Sequence, residues 1–195
     1  AVIPLMIPYS LDISSLVFIF MFIVIFSPLL ILFFYLFLVI KYTKIDPLTN
    51  LYNRQTFFSS FKFNKNVTAL ISIDMNNLKY FTDNFGHSKG DEALMVIAGL
   101  IKEIQDRNIS GYRMGGDEFL VVCQNMSEEQ VKIVVSKLNF SINKNSEYEV
   151  AIGYSFRSNN DPFEYLMAAA DESMYTQKAQ MKKDTLKVKK ILHRK

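Results

Sequence analysis

The chain has 195 residues, a formal net charge of +3 and one cysteine. That length suits one domain plus an accessory segment, and a lone cysteine excludes an internal disulfide framework. Residues 1–40 contain no Lys or Arg and one acid, Asp12, so all 22 basic residues follow them. The two parts are built for different solvents, which excludes a uniformly soluble chain.

The stretch Leu16 to Ile40 reads LVFIFMFIVIFSPLLILFFYLFLVI and carries no charge. As a helix it spans about 37 Å at about 1.5 Å per residue, against a hydrocarbon core of about 30 Å. It is therefore expected to be a transmembrane helix, tilted, with Ser27 and Pro28 marking a kink. A cleaved signal peptide fits badly: there is no basic n-region, the apolar run is too long, and no small-residue cleavage site follows. A buried core helix is rarely so long and so uniformly apolar. Lys41 and Lys44 follow the span and nothing basic precedes it, which places the C-terminal part in the cytoplasm and residues 1–15 outside. Because the chain opens on Ala rather than Met, it is expected to be a piece of a longer one.

Residues 41–49 form a linker. Asp46-Pro47 is a turn signal, and the spacing of Leu51, Phe57, Phe58 and Phe61 predicts a helix after it. VTALISID (67–74) is β-branched and apolar, a buried strand ending on a carboxylate. Leu78, Phe81 and Phe85 give a helix over 76–85. A second helix restarts over 86–104, with Ser88 as N-cap and Leu94, Ile97, Ala98 and Ile101 as buried stripe. A strand at about 109–114, a Gly115-Gly116 turn and a strand over 118–123 make a hairpin, and Cys123 reads as a reduced core residue. Ser127 caps a helix over 127–140, and 148–156 is a further strand. Asp161-Pro162 opens the last helix, with Glu164 three residues after the cap. Residues 184–195 form a basic tail, read as a solvated, fraying end or, alternatively, a contact for anionic lipid. Strands alternate with helices, yet one connection is a tight hairpin. That order implies an α/β (α+β) sandwich of the ferredoxin-like kind, with helices on a mixed sheet.

The hairpin YRMGGDEFLVVC carries the chemistry. Gly115 and Gly116 suit a two-residue type I′ turn, which would explain them structurally. Asp117 and Glu118 beside the turn add a second reading, because adjacent strand residues point to opposite faces and each acid can serve a different partner. Asp74 ends one strand just before a helix. It either caps that helix or binds Mg²⁺ while the amides of Asn77, Leu78 and Lys79 cradle phosphate oxygens. If the hairpin pairs beside that strand, Asp74 and Asp117 face each other.

The stretches DPLTNLYNR, ISIDMNNLKYFTDNFGHSKGDEAL, YRMGGDEF, AIGYS and ADESMYTQK, in that order from Asp46 to about Lys183, resemble the successive motifs of the GGDEF family, the diguanylate cyclases. The resemblance implies a catalytic domain over 46–183 with the fold of nucleotidyl-cyclase and polymerase palms. It also implies a homodimer at a bacterial inner membrane that condenses two GTP into cyclic di-GMP and two pyrophosphates, with no nucleic-acid partner. By motif, Asp74 and Asp117 would bind two Mg²⁺ or Mn²⁺ ions together with the Met75 carbonyl, and Glu118 would activate the ribose 3′-hydroxyl, directly or through metal. Asn77 and Leu78 would offer amides to the phosphates, with Gly115 and Gly116 allowing close approach. Lys178 would reach the terminal phosphates and Lys182 would follow one turn on. Asp91 would read the guanine edge, although Ser88 to Asp91 also reads as a capping box.

Three departures stand out. Thr82 replaces the family's base-reading Asn, so a single hydroxyl stands for an amide that both donates and accepts. Asn76 replaces a second acid, and Lys182 replaces an Arg with a bidentate grip. The family's product-inhibition motif R-x-x-D is DRNI here (106–109), so no strong inhibition through it is expected. The alternative to an active cyclase is a regulatory module that binds GTP or cyclic di-GMP without turnover, favoured by Thr82 and Lys182 and opposed by intact Asp74, Asp117, Glu118 and Lys178. A purely structural membrane protein is the third reading, opposed by the five ordered motifs.

Overall fold

The computed structural model describes residues 12–61, 66–157 and 161–192. It divides into two units, residues 1–43 and 44–195. Most of the stretch read as extracytoplasmic, and the last three residues of the basic tail, lie outside the described residues.

In the first unit, Asp12 accepts a hydrogen bond from the Ser14 amide at 2.6 Å and caps helix α1, Ile13–Tyr42. Ordered helix thus starts before and ends after the charge-free run, because nothing local stops it and Pro28 is accommodated inside it. Ile13–Ile40 is long and apolar enough to cross a membrane by length and composition, with a mean hydropathy of 3.1. Its large apolar side chains are exposed.

The second unit is built on a five-stranded sheet of β1 (Tyr52–Asn53), β2 (Val67–Met75), β3 (Ile109–Gly115), β4 (Glu118–Gln124) and β5 (Val150–Phe156), in the order β1-β3-β4-β2-β5. β1 runs parallel to β3 and the other pairs are antiparallel, so the sheet is mixed. Five helices pack with it: α2 (Arg54–Phe61), α3 (Leu78–Phe85), α4 (His87–Glu103), α5 (Glu128–Asn145) and α6 (Phe163–Leu192). This is the α+β sandwich implied by the element order.

Alternation along the strands divides the core. Phe119, Val121 and Cys123 join Ile71, Ile73 and Met75 under α4 and α5. Leu120 and Val122 join Leu70, Phe57, Phe61 and Leu166 under α2 and α6. Both faces of β2 are covered, which is why its sequence is almost continuously apolar. The stripe Leu94, Ile97, Ala98 and Ile101 is buried as expected, and Ser127 caps α5 in a full capping box with Gln130.

Several local expectations differ. The N-cap of α4 is Gly86, not Ser88, and makes no side-chain cap bond. Gly86 also ends α3, and its φ of +86° reverses the chain between two helices without a linker, a conformation open to glycine. α3 begins at Leu78, and its Phe85 is exposed because the helix stops there. β1 has no counterpart in the sequence reading. α6 runs on through Leu192 into the stretch read as a fraying tail.

Candidate active site

β2 and β4 set the geometry. Their register pairs Asp74 with Glu118, and directly opposed residues share a face of the sheet. Asp117, expected opposite Asp74, lies one step further along, where its carbonyl accepts a hydrogen bond from the Met75 amide at 3.0 Å. The cause is the turn. Gly115 pairs with Glu118 after a register shift, so Gly116 and Asp117 are the turn residues. Gly115 and Gly116 have φ of +147° and +52°, whereas Asp117 does not take a positive φ. A type I′ turn on the glycine pair is therefore not formed. A Cβ at either glycine would meet open space, so their backbone can be approached closely.

Arg113 holds this turn. Its Nε and Nη2 donate to the Gly116 carbonyl at 3.3 and 2.9 Å, and Nη1 donates to Asp46 at 3.1 Å. Asp46 also accepts from the Thr49 amide and hydroxyl at 2.9 and 2.7 Å. Partial burial pushes the Asp46 carboxyl up, but the Thr49 bonds and Arg113 outweigh it and hold the group below its usual range.

Past the end of β2, Asn76 donates its amide N–H to the Glu149 carbonyl at 2.8 Å. Asn77 takes φ +61°, a left-handed conformation that Asn tolerates, and turns the chain into α3. An open cleft of about 500 Å³ results, bounded by Met75 to Lys79, by Asp117, and by Lys178 and Lys182 of α6. Its size falls within the usual range for ligand pockets. The cleft brings together Met75, Asn77, Leu78, Asp117, Lys178 and Lys182. Asp74 meets it through Lys178, whose Nζ donates to Asp74 Oδ1. Thr82 and Asp91 do not line it. The Thr82 hydroxyl donates to the Leu78 carbonyl at 3.1 Å and is packed toward Gly90, where a Cβ would lie 2.6 Å from it. Asp91 is exposed on α4.

Glu118 opens instead onto a smaller hollow of about 160 Å³ between α2 and α6, shared with Arg54, Asp171 and Tyr175. Partial burial raises its pKa above the ordinary 4.5, reinforced by the charges of Asp117, Asp74 and Asp171 and opposed by Arg54. Asp171 accepts from the Ser72 hydroxyl at 2.6 Å. Sequence reasoning missed Asp171, although it stands two helical turns before Lys178 and so on the same side of α6. It also missed Arg54, which has no local signal. Among the described residues, no preassembled cluster of three or more His, Cys, Asp or Glu side chains is present.

Residues 43–184 match the family described as diguanylate cyclase, GGDEF domain. The chain belongs to the GGDEF family. Its relatives include the diguanylate cyclase DgcN of Escherichia coli K12, 33% identical over 150 residues, which cover 69% of this chain and 37% of that one. This GGDEF chain thus spans little more than a third of that relative, and 24% and 28% of two others. Solved structures share the fold. The GGDEF domain of DgcB from Caulobacter crescentus, in complex with c-di-GMP, superposes with a TM-score of 0.63 at 21% identity, covering 70% of this chain and 88% of that one. The GGDEF domain of TpbB (YfiN) from Pseudomonas aeruginosa gives 0.62 at 25% identity, covering 70% and 89%.

Proposed function

We propose that the chain is a membrane-anchored diguanylate cyclase, joining two GTP into cyclic di-GMP with release of two pyrophosphates. One observation carries the reading: in a GGDEF chain, Asp74 of β2 pairs with Lys178 of α6 at the rim of a nucleotide-sized cleft that Asp117 of the β3–β4 turn also lines.

Lys178 and Lys182 hold the terminal phosphates, and the amides of Asn77 and Leu78 take further phosphate oxygens. Gly115 and Gly116 let the nucleotide approach the turn. The guanine would extend beyond the cleft toward Thr82 and Asp91; with its proton committed to Leu78, the Thr82 hydroxyl can only accept. Asp74, Asp117 and the Met75 carbonyl fit Mg²⁺ or Mn²⁺, because the donors are all oxygen and Asp74 already receives a cationic ammonium. Such ions, when bound, supply charge neutralisation at phosphate and a lowered hydroxyl pKa. Glu118 takes the 3′-hydroxyl proton on its carboxylate, and its raised pKa suits a group that must both accept and release it. The 3′-oxygen bonds to the α-phosphorus of the other GTP, the bond to pyrophosphate breaks, and the exchange repeats in the reverse sense. One copy supplies half of this arrangement, so two copies meet face to face. Anchoring through α1 in the inner membrane, with residues 44–195 in the cytoplasm, raises the concentration for that encounter.

The test is the full chain in detergent with GTP and Mg²⁺, the products being separated by chromatography. Cyclic di-GMP that disappears in Asp117→Ala and Glu118→Ala is the expected outcome. The second reading, a GTP- or cyclic di-GMP-binding regulatory module, is favoured by the committed Thr82 hydroxyl. It gains if wild-type chain binds GTP and yields no product.

A further inference from the structure

We propose that Lys178 is a tethered occupant of the divalent-cation seat, so that metal and nucleotide bind with positive coupling. The inference rests on the assignment of Asp74 to metal and Lys178 to phosphate made above.

Asp74 is 5% exposed at the end of a central strand. A carboxylate so buried needs a cationic or hydrogen-bonding partner. Its side chain has one among the described residues, Lys178, and the two side chains are 7% and 21% exposed. Asn76 cannot compete for the ammonium as a charge, since the acid that motif usually places there is a neutral amide. Asp117 and Glu118 flank Asp74 in the ladder, so a single ammonium leaves the local charge negative. A divalent ion suits the seat better, but it must first displace the lysine.

Lys178 is not a loosely held surface lysine. Its neighbour Gln177 accepts the Ile152 N–H of β5 through its side-chain oxygen. One position along, Gly153 lets α6 lie directly on β5. A Cβ there would fall 1.9 Å from the Met174 nitrogen and 2.5 Å from the Ala170 oxygen. The helix register is thereby fixed one residue before Lys178, and the ammonium is delivered to Asp74 by a rigid element. Release then requires rotation of the lysine stem alone, which is long and flexible. The stem already borders the cleft that also holds Asn77, Leu78 and Lys182. A triphosphate in that cleft offers the ammonium a new anion and frees Asp74. Metal binding alone instead faces an intramolecular competitor at high effective concentration. Coupling of this kind is reciprocal and commonly about 5- to 150-fold.

The experiment measures Mn²⁺ binding to the 195-residue chain in detergent without nucleotide, from the electron paramagnetic resonance signal of free Mn²⁺ at constant ionic strength. Lys178→Met should bind Mn²⁺ about tenfold tighter than wild type. Lys178→Arg, which keeps the cation, should bind as weakly as wild type, and Asp74→Asn should lose the site. Circular dichroism checks each variant, and Lys178→Gln replaces Lys178→Met if the latter fails to fold. Equal or weaker binding by the neutral variants overturns the proposal, as does Lys178→Arg behaving like Lys178→Met. This readout needs no turnover. Tightened binding in a chain that makes no cyclic di-GMP keeps the proposal and removes the cyclase reading, whereas turnover with unchanged Mn²⁺ affinity does the opposite.

Discussion

Two hollows lie on either side of the Asp74–Glu118 rung, and they are opposites. The cleft beyond β2 is wide and presents Lys79, Lys178 and Lys182. The hollow between α2 and α6 is small and presents Glu118 and Asp171 against a single Arg54. One α6 helix lines both, with Asp171 in the acidic hollow and Lys178 in the basic cleft. Under the proposed function, the contrast would let a single strand end serve anionic phosphate on one side and a proton on the other. The charges are sorted by helical turn along α6, with Asp171 on the acidic hollow and Lys178 on the basic cleft.

The sharpest break of that division is Glu118→Gln. It should lower cyclic di-GMP formation by about 10²- to 10⁴-fold while calorimetric GTP affinity changes little; an equal loss in both would merge the two hollows into one function. In wild type the rate should climb as pH rises through the Glu118 pKa, which lies above 4.5, and a rate already flat across that range would remove Glu118 as proton acceptor. Gly153→Ala attacks the shared helix. The added methyl meets α6 backbone, and overpacking of this kind costs about 3 kcal/mol, seen as a lower midpoint in denaturant with both hollows impaired together. Asp46→Asn is a smaller change, acting on the turn before Asp117 only through Arg113. Because the folded pKa of Asp46 is depressed, its contribution is present above about pH 3.8 and is lost as pH falls through the lower folded value. The variant should be about 1–2 kcal/mol less stable near neutrality, and the gap should close below that window. Least of all, Lys182→Arg should lower KM for GTP by a few-fold through a bidentate phosphate contact, with kcat unchanged. A change in kcat would place residue 182 outside the phosphate side.

What was legible in the sequence follows the range of the forces involved. β2 and the hairpin strands declare themselves through short apolar, β-branched runs and α5 through its Ser127 cap, signals that act within a few residues. β1 does not: Tyr52–Asn53 is a strand only because Tyr112 and Arg113 pair with it. The cap of α4 was misplaced because Ser88 has cap chemistry, whereas Gly86 acts through backbone freedom alone. In the site, the motif residues of the cleft could be named in advance, yet the partner of Asp74 in the ladder could not. That depends on a one-residue shift at Gly115. The Gln177–Ile152 bond and the position of Arg54 beside Glu118 are set by how α6 and α2 settle on the sheet.

Arg113 carries a consequence for how such sequences can change. Its guanidinium reaches Asp46, 67 residues earlier in the chain, and the Gly116 carbonyl, and so joins a loop to a turn. Losing Asp46 alone would strand a mostly buried cation beside the turn, and losing Arg113 alone would strand the acid. Substitutions at 46 and 113 are therefore expected to be accepted in pairs. Across related chains the two positions should covary, with a neutral residue at one predicting a neutral residue at the other.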